Sequence, residues 1–141
     1  MAVNRILLAT LCVISFSASA LEPIPDKTVV LTFDDAVKSQ RAYVGPMLKE
    51  YGFGATFFVT ALWMADHDNF MTWDEIAELN QMGFEIGNHS WSHLNFGNPK
   101  EAGRLAGQLA LVESELKKVG VPKPISFAWC GNNFRSEEPH V

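Results

Sequence analysis

The sequence predicts an α/β fold in which parallel strands alternate with helices that pack on the outside. Short runs rich in β-branched and aromatic residues recur along the chain, such as "TVVLTF" at 28–33 and "GATFFVT" at 54–60. Segments with apolar residues at helical spacing separate these runs, and glycines follow the segments. This order of strand and helix favours right-handed crossovers and a parallel sheet.

The first half of the chain holds two strands and one helix. "TVVLTF" is a continuous apolar run, which is typical of a parallel strand buried on both faces. "SQRAYVGPMLKEYG" at 39–52 has helical periodicity, and Gly45-Pro46 predicts a kink or a split within it. "GATFFVT" then predicts the second buried strand.

The second half repeats the pattern. In "MTWDEIAELNQMG" at 71–83, Thr72 and Glu75 form a capping box that starts a helix. "FEIGNH" at 84–89 predicts the third strand. Pro99 opens a long helix that we expect to run through Val119, with Gly120 after its end. "PISFAW" at 124–129 predicts the fourth strand.

The N-terminal segment 1–20 has the character of a secretory signal peptide. Arg5 precedes the apolar run "ILLATLCVISF", and "SASA" predicts cleavage after Ala20. The apolar run is shorter than the ~20 residues that a spanning helix needs. We therefore expect an exported, periplasmic or extracellular protein without a stable membrane span after cleavage, in which residues 21–141 form one domain. A retained membrane anchor is the alternative.

Charge and cysteine content exclude two classes of function and structure. The chain has 16 acidic and 11 basic residues, a net charge of −5, and no basic stripe, so nucleic acid is not an expected partner. Cys12 belongs to the predicted signal peptide, which leaves Cys130 alone. No intramolecular disulfide is therefore expected, and the fold must depend on packing.

Polar side chains of unusual kinds follow the predicted strands. Asp34 and Asp35 come after the first strand, and His89 and His93 come after the third. The ends of parallel strands open on one edge of a sheet, where chemistry gathers. Aspartates at such a place also cap helices, and a histidine pair is equally compatible with a structural role, so both alternatives stay open.

Two imidazoles and one carboxylate form a three-ligand set that leaves coordination positions for water, as catalytic metal sites do. A spacing of four lets both rings reach one ion. A second carboxylate beside the ion suits a general base. These residues alone predict metal-assisted hydrolysis of an amide or an ester.

Three segments together resemble the polysaccharide deacetylase family: "VVLTFDD", "ATFFV" and "GFEIGNHSWSHLNF", in that order and spacing. The resemblance implies an incomplete distorted (β/α) barrel of the polysaccharide deacetylase type, with parallel strands and outer helices. It implies a hydrolase that removes acetyl groups from N-acetylated or O-acetylated polysaccharide, acting on carbon–nitrogen but not peptide bonds. An acetylated polysaccharide or a cell-wall glycan is the implied partner.

The resemblance also implies roles for individual residues. Asp34 matches the family's catalytic base. Asp35, His89 and His93 match the ligands of one divalent metal ion, most often zinc.

The chain departs from the family at "FAWCGN", where Ala128 stands in place of an arginine that usually orients the base. By the same resemblance, Gly131 takes the position whose backbone N–H faces the oxyanion. Cys130 as a nucleophile is an alternative to a buried structural thiol. The family's later histidine, its general acid, has no counterpart here, and neither His67 nor His140 lies in a matching motif.

We therefore expect a domain truncated at its C-terminus. One alternative is an inactive remnant that binds metal or carbohydrate without turnover, in which Trp63, Trp73 and Trp91 stack on sugars or pack in the core. Another is an amidase for a small nitrogenous compound that uses the same metal site.

Overall fold

The structure is a computed structural model that describes residues 24–132 of the chain. The predicted signal peptide and His140 lie outside these residues. Within the described part of the chain, no helix combines the length and the apolar character that crossing a membrane requires.

The sheet of the described residues has three parallel strands in the order β1-β2-β3. They are β1 (Thr32–Phe33), β2 (Thr56–Val59) and β3 (Glu85–Asn88). Phe57 of β2 lies opposite Phe33 of β1 and Ile86 of β3. The parallel sheet with a helical crossover between successive strands confirms the prediction for this part of the fold.

β1 is shorter than "TVVLTF" predicted. Val29 and Val30 are 74% and 77% exposed, so the prediction of a buried strand over 28–33 is wrong for its first half. Backbone pairing begins only at Leu31, whose carbonyl accepts a hydrogen bond of 3.1 Å from the Thr56 N–H. The physical reason is that β1 is an edge strand of this sheet, and among the described residues it pairs with β2 on one side only.

The predicted fourth strand lies beside β3 but pairs with it at one residue only. Phe127 forms a parallel bridge with Asn88. The Asn88 N–H donates to the Ser126 carbonyl at 3.0 Å, and the Ala128 N–H donates to the Asn88 carbonyl at 3.0 Å. Short as it is, this contact brings the backbone of residues 126–128 against the end of β3.

Local sequence signals explain how two helices begin. A π-helical turn (Gln40–Val44) runs into α1 (Gly45–Tyr51), which has its proline in the first turn, so the predicted split at Gly45-Pro46 is confirmed. In α2 (Trp73–Gln81) the Thr72 hydroxyl accepts from the Glu75 N–H at 3.2 Å, and the Glu75 carboxylate accepts from the Thr72 N–H at 2.8 Å. The predicted capping box is therefore present.

The long helix predicted from Pro99 to Val119 is two helices. They are α3 (Pro99–Ala102) and α4 (Leu105–Lys118), separated at Gly103 and Arg104. The break follows from the low helix propensity of glycine at this point. The buried residues of α4 are Gln108, Val112 and Leu116, which lie four residues apart and form its inward stripe.

The core lies where the sheet meets α2 and α4. Phe57 is fully buried, stacked on Phe33 at 5.1 Å between ring centroids and edge-on to Phe84 at 5.4 Å. Ile76 of α2 and Leu116 of α4 are fully buried in the same cluster. Each such side chain contributes about 1.5–3 kcal/mol by leaving water, which anchors both helices to the sheet.

Candidate metal centre

The structure brings together three of the residues predicted to bind a metal. Asp35 follows β1, His89 follows β3, and His93 lies one turn of chain later. The Asp35 Oδ1 is 3.4 Å from the His89 Nε2 and 3.5 Å from the His93 Nε2. The two imidazole rings lie 4.7 Å apart between centroids, with an angle of 77° between their planes. One oxygen and two nitrogens thus point to a common centre.

The Asp35 Oδ1 is buried, and it has no hydrogen-bond partner among the described residues. A buried carboxylate oxygen normally accepts hydrogen bonds, because leaving it without a donor is costly. Ligand atoms about 2.0–2.1 Å from a tetrahedral zinc ion lie roughly 3.3 Å from one another. The separations found here match that spacing, so the three residues fit a divalent cation.

A hydrogen bond to the backbone orients the His89 ring. Its Nδ1 lies 2.9 Å from the Ala128 carbonyl oxygen. A carbonyl only accepts, so Nδ1 carries the hydrogen and the neutral ring presents the Nε2 lone pair toward Asp35. The same arrangement, in which a carbonyl holds the far nitrogen, orients metal-binding histidines in general.

The protonation of His89 also reflects its surroundings. Burial lowers its pKa, but the hydrogen bonds with Cys130 and with the Ala128 carbonyl and the negative charge of Asp34 outweigh it and raise the pKa to about 9. The raised pKa means that a proton binds the ring more tightly than it binds a free imidazole. A cation that binds at Nε2 must compete with such a proton.

Cys130 is an alternative third ligand. Its Sγ and one nitrogen from each histidine lie within 4.8 Å of one another. The thiol, however, lies 3.9 Å from the His89 Nδ1, the nitrogen already bonded to Ala128, and it donates to the His89 carbonyl at 3.2 Å. Because Asp35 faces the Nε2 atoms instead, we take Asp35 as the better third ligand. The thiol is fully buried, which suits a structural role.

The two loops that carry these ligands hold backbone conformations unusual for residues other than glycine. Asp35 and Ala36 have φ values of 72° and 56°, and Ser90 and His93 have φ values of 65° and 48°. Such left-handed residues cost free energy and persist where the surrounding structure holds them. Here the Ser90 N–H donates to the Asn88 Oδ1 at 2.9 Å, and the His93 N–H donates to the Ser90 Oγ at 3.1 Å.

One tryptophan, Trp63, contacts a histidine of the centre, and two others pack elsewhere. The Trp63 ring lies 5.2 Å from the His93 ring and stacks on Phe70 at 5.7 Å. Trp73 and Trp91 stack on each other at 6.4 Å, pack against the core, and line a pocket of about 240 Å³. Core packing therefore accounts for at least part of the surface of Trp73 and Trp91.

The remaining predicted residues are less closely tied to the centre. The Asp34 carboxylate is exposed and has no hydrogen-bond partner among residues 24–132, although its charge acts on His89. Gly131 is exposed in a 3₁₀ turn (Cys130–Asn132) with φ 70°, and its predicted oxyanion role stays a prediction. Ala128 cannot orient Asp34 as an arginine would, and its backbone orients His89 instead.

Two residues that brace the histidine turn were not predicted from the sequence. Asn88 accepts from Ser90 and donates to the Leu109 carbonyl at 3.1 Å. Gln108 accepts from both the N–H and the hydroxyl of Ser92. Gln108 could have been found in the sequence as a polar residue at helical spacing on an otherwise apolar stripe. For Asn88, the sequence indicated only that it lies next to His89.

Comparison with known proteins identifies the fold family. The family described as Polysaccharide deacetylase matches residues 22–137. The chain belongs to the polysaccharide deacetylase family. The resemblance seen in the sequence motifs is therefore confirmed.

Relatives within this family match the chain at moderate identity. The poly-beta-1,6-N-acetyl-D-glucosamine N-deacetylase of Escherichia coli K12 is 28% identical over an alignment of 86 residues that covers 50% of this chain and 13% of that protein. The structure of IcaB from Ammonifex degensii is 26% identical with a TM-score of 0.66, covering 76% of this chain and 52% of the other. A family 4 carbohydrate esterase from Bacillus anthracis is 30% identical with a TM-score of 0.57, covering 72% and 47%.

The chain thus spans about half the length of these solved deacetylase-family structures and 13% of the Escherichia coli relative. Its described strands and helices form part of the distorted (β/α) barrel of the polysaccharide deacetylase type, as predicted. The metal-ligand assignments and the catalytic role of Asp34 remain predictions.

Proposed function

We propose that the chain carries a metal-dependent hydrolase site that removes acetyl groups from acetylated polysaccharide. The observation that carries this proposal is the buried Asp35 Oδ1, which has no hydrogen-bond donor among the described residues and lies 3.4 Å and 3.5 Å from the Nε2 atoms of His89 and His93. Two imidazoles and one carboxylate suit zinc. When bound, such an ion polarises the acetyl carbonyl and lowers the pKa of a water molecule.

The chain's own residues supply the remaining functions. Asp34 is the general base, because it is an exposed carboxylate next to Asp35 in the chain and close enough for its charge to act on His89. The Ala128 carbonyl keeps the lone pair of the neutral His89 ring directed to the centre. The Trp63 ring lies against the His93 ring at 5.2 Å and packs on one side of this ligand.

An N-acetylated glucosamine polymer is the substrate that we propose first. The Escherichia coli relative is named for N-deacetylation of poly-beta-1,6-N-acetyl-D-glucosamine, which cleaves a carbon–nitrogen bond. O-acetylated polysaccharide is the alternative substrate, and the second experiment below compares the two. Such polymers lie outside the cytoplasm, which agrees with the predicted signal peptide and with an exported, periplasmic or extracellular location.

The first experiment measures the metal. Purified protein is freed of metal and titrated with zinc in a competition assay, for the wild type, Asp35→Ala and the control Asp68→Ala, which alters an exposed loop carboxylate. We expect one zinc per wild-type and Asp68→Ala chain and a loss of affinity of at least about 100-fold for Asp35→Ala. Wild-type protein that binds no zinc would refute the metal site.

The second experiment measures acetate release from N-acetylglucosamine oligomers and from O-acetylated oligosaccharides. Asp34→Asn keeps the ligand set but removes the base, so we expect unchanged zinc binding and a rate lower by about 10²- to 10⁴-fold. Equal rates for wild type and Asp34→Asn would remove Asp34 from the reaction.

One observation favours a second candidate, a protein that binds metal or glycan without turnover. No side chain among the described residues holds the Asp34 carboxylate in place. Zinc binding together with no acetate release from either substrate class would support this candidate.

A further inference from the structure

A buried glutamine on α4 contacts the loop that carries the histidines. The Gln108 side chain is buried, and its Oε1 lies 2.8 Å from the Ser92 N and 2.7 Å from the Ser92 Oγ. A backbone N–H can only donate, so the amide atom that faces it must be the oxygen. The orientation of the Gln108 amide therefore follows from its partner.

The position of Gln108 is costly unless its polar atoms are bonded. It shares the inward stripe of α4 with Val112 and Leu116, which are fully buried. An amide placed in such a stripe loses its hydrogen bonds to water and must replace them. Ser92 provides two replacements to the same oxygen, which ties the loop to the helix.

The hydrogen bonds between Gln108 and Ser92 act on the turn that carries His93, whose backbone is strained. Ser92 directly precedes His93, and both Ser90 and His93 hold left-handed backbone conformations. At the other end of the turn, the Asn88 Nδ2 donates to the Leu109 carbonyl, one residue further along α4. Two successive residues of α4 thus contact both ends of the turn that carries His93.

We propose that Gln108 is a positioning residue that keeps the His93 imidazole directed at the metal centre. Its two hydrogen bonds hold residue 92, so that the His93 Nε2 stays 3.5 Å from the Asp35 Oδ1. This inference rests on the proposed function in one respect, namely that His93 binds the cation. It assigns α4 a role in the affinity of the site.

The test measures the affinity for Co²⁺ and its visible absorption spectrum in the full chain. Gln108→Met keeps the volume and removes the acceptor, Gln108→Glu keeps an acceptor oxygen, and Gln81→Met changes an exposed glutamine of α2 as a control. We expect Gln108→Met to weaken binding by about 10- to 100-fold and to alter the spectrum. Gln108→Glu should stay within about threefold of the wild type, and Gln81→Met should equal it.

The outcomes separate this inference from the proposed function. Failure of the wild type to bind Co²⁺ would overturn the metal site itself. Binding by the wild type and equal binding by Gln108→Met would overturn the positioning role alone. If Gln108→Met does not fold, Ser92→Ala decides: it removes one of the two hydrogen bonds without touching the core, and we expect affinity about threefold weaker. Unchanged affinity in Ser92→Ala would then overturn the role.

Discussion

Gly87 offers a sharp test of how β3 supports the candidate site. It is buried in β3, and a Cβ added to it would lie 2.4 Å and 2.5 Å from two ring carbons of Phe58 and 2.9 Å from the Ser126 Oγ. Carbon atoms pack at roughly 3.5–4.0 Å, so an alanine methyl would overlap the ring by about 1 Å. The Phe58 ring or β3 must move to accommodate Gly87→Ala.

The expected cost is that of overpacking, about 1–3 kcal/mol of unfolding free energy. Gly107→Ala is the matched control, because Gly107 lies exposed in α4 with no atom within 4 Å of its would-be Cβ. An alanine there should gain about 0.8–1.0 kcal/mol from helix propensity. The same substitution thus changes stability in opposite directions at the two positions.

Urea unfolding measures both effects. With an m-value of about 2 kcal/mol/M, the midpoint should fall on the order of 1 M for Gly87→Ala and rise by roughly 0.5 M for Gly107→Ala. Because Gly87 lies two residues before His89, zinc affinity should also fall in Gly87→Ala only. A midpoint for Gly87→Ala at or above that of the wild type would refute the proposed close packing of β3 against Phe58.

Two further predictions concern stability. Hydrogen bonds from Ser126 and Thr56 lower the pKa of Glu85 below its ordinary 4.5. The stabilisation that these bonds give is therefore present above pH 4.5 and is lost as the pH falls through the lowered pKa. Urea midpoints measured between pH 6 and pH 3 should fall less steeply for Glu85→Gln than for the wild type, and identical slopes would contradict this assignment. Thr72→Ala removes the acceptor for the Glu75 N–H and should cost about 1 kcal/mol in the same assay; an unchanged midpoint would mean that the capping box contributes nothing.

Local signals predicted the fold well where the cause is local. The capping box at Thr72 and the split at Gly45-Pro46 depend on neighbours in sequence, and both are present. The error at Val29 and Val30 has a different origin. An apolar run indicates that a segment is suited to a buried strand. Whether a neighbouring strand covers that segment depends on the arrangement of the whole sheet, which the run itself does not encode.

In the candidate site too, some contacts could be predicted from the sequence and others could not. The convergence of Asp35 with His89 and His93 follows from the parallel sheet, since both loops leave the same edge, and it was predicted from the strand ends. The contact between Gln108 and Ser92 depends on how α4 docks after the break at Gly103, and helical periodicity cannot reveal that docking. The hydrogen bond that orients His89 was likewise hidden, because it uses a backbone carbonyl that leaves no mark in the sequence.

That carbonyl has a consequence for the order of assembly during synthesis. The Ala128 oxygen that selects the His89 tautomer lies 39 residues further along the chain than the ring that it holds. A nascent chain that has emerged only through α4 therefore contains every proposed ligand but leaves the His89 tautomer unselected. Selection of that tautomer therefore cannot precede the emergence of residue 128, however early the three proposed ligands come together.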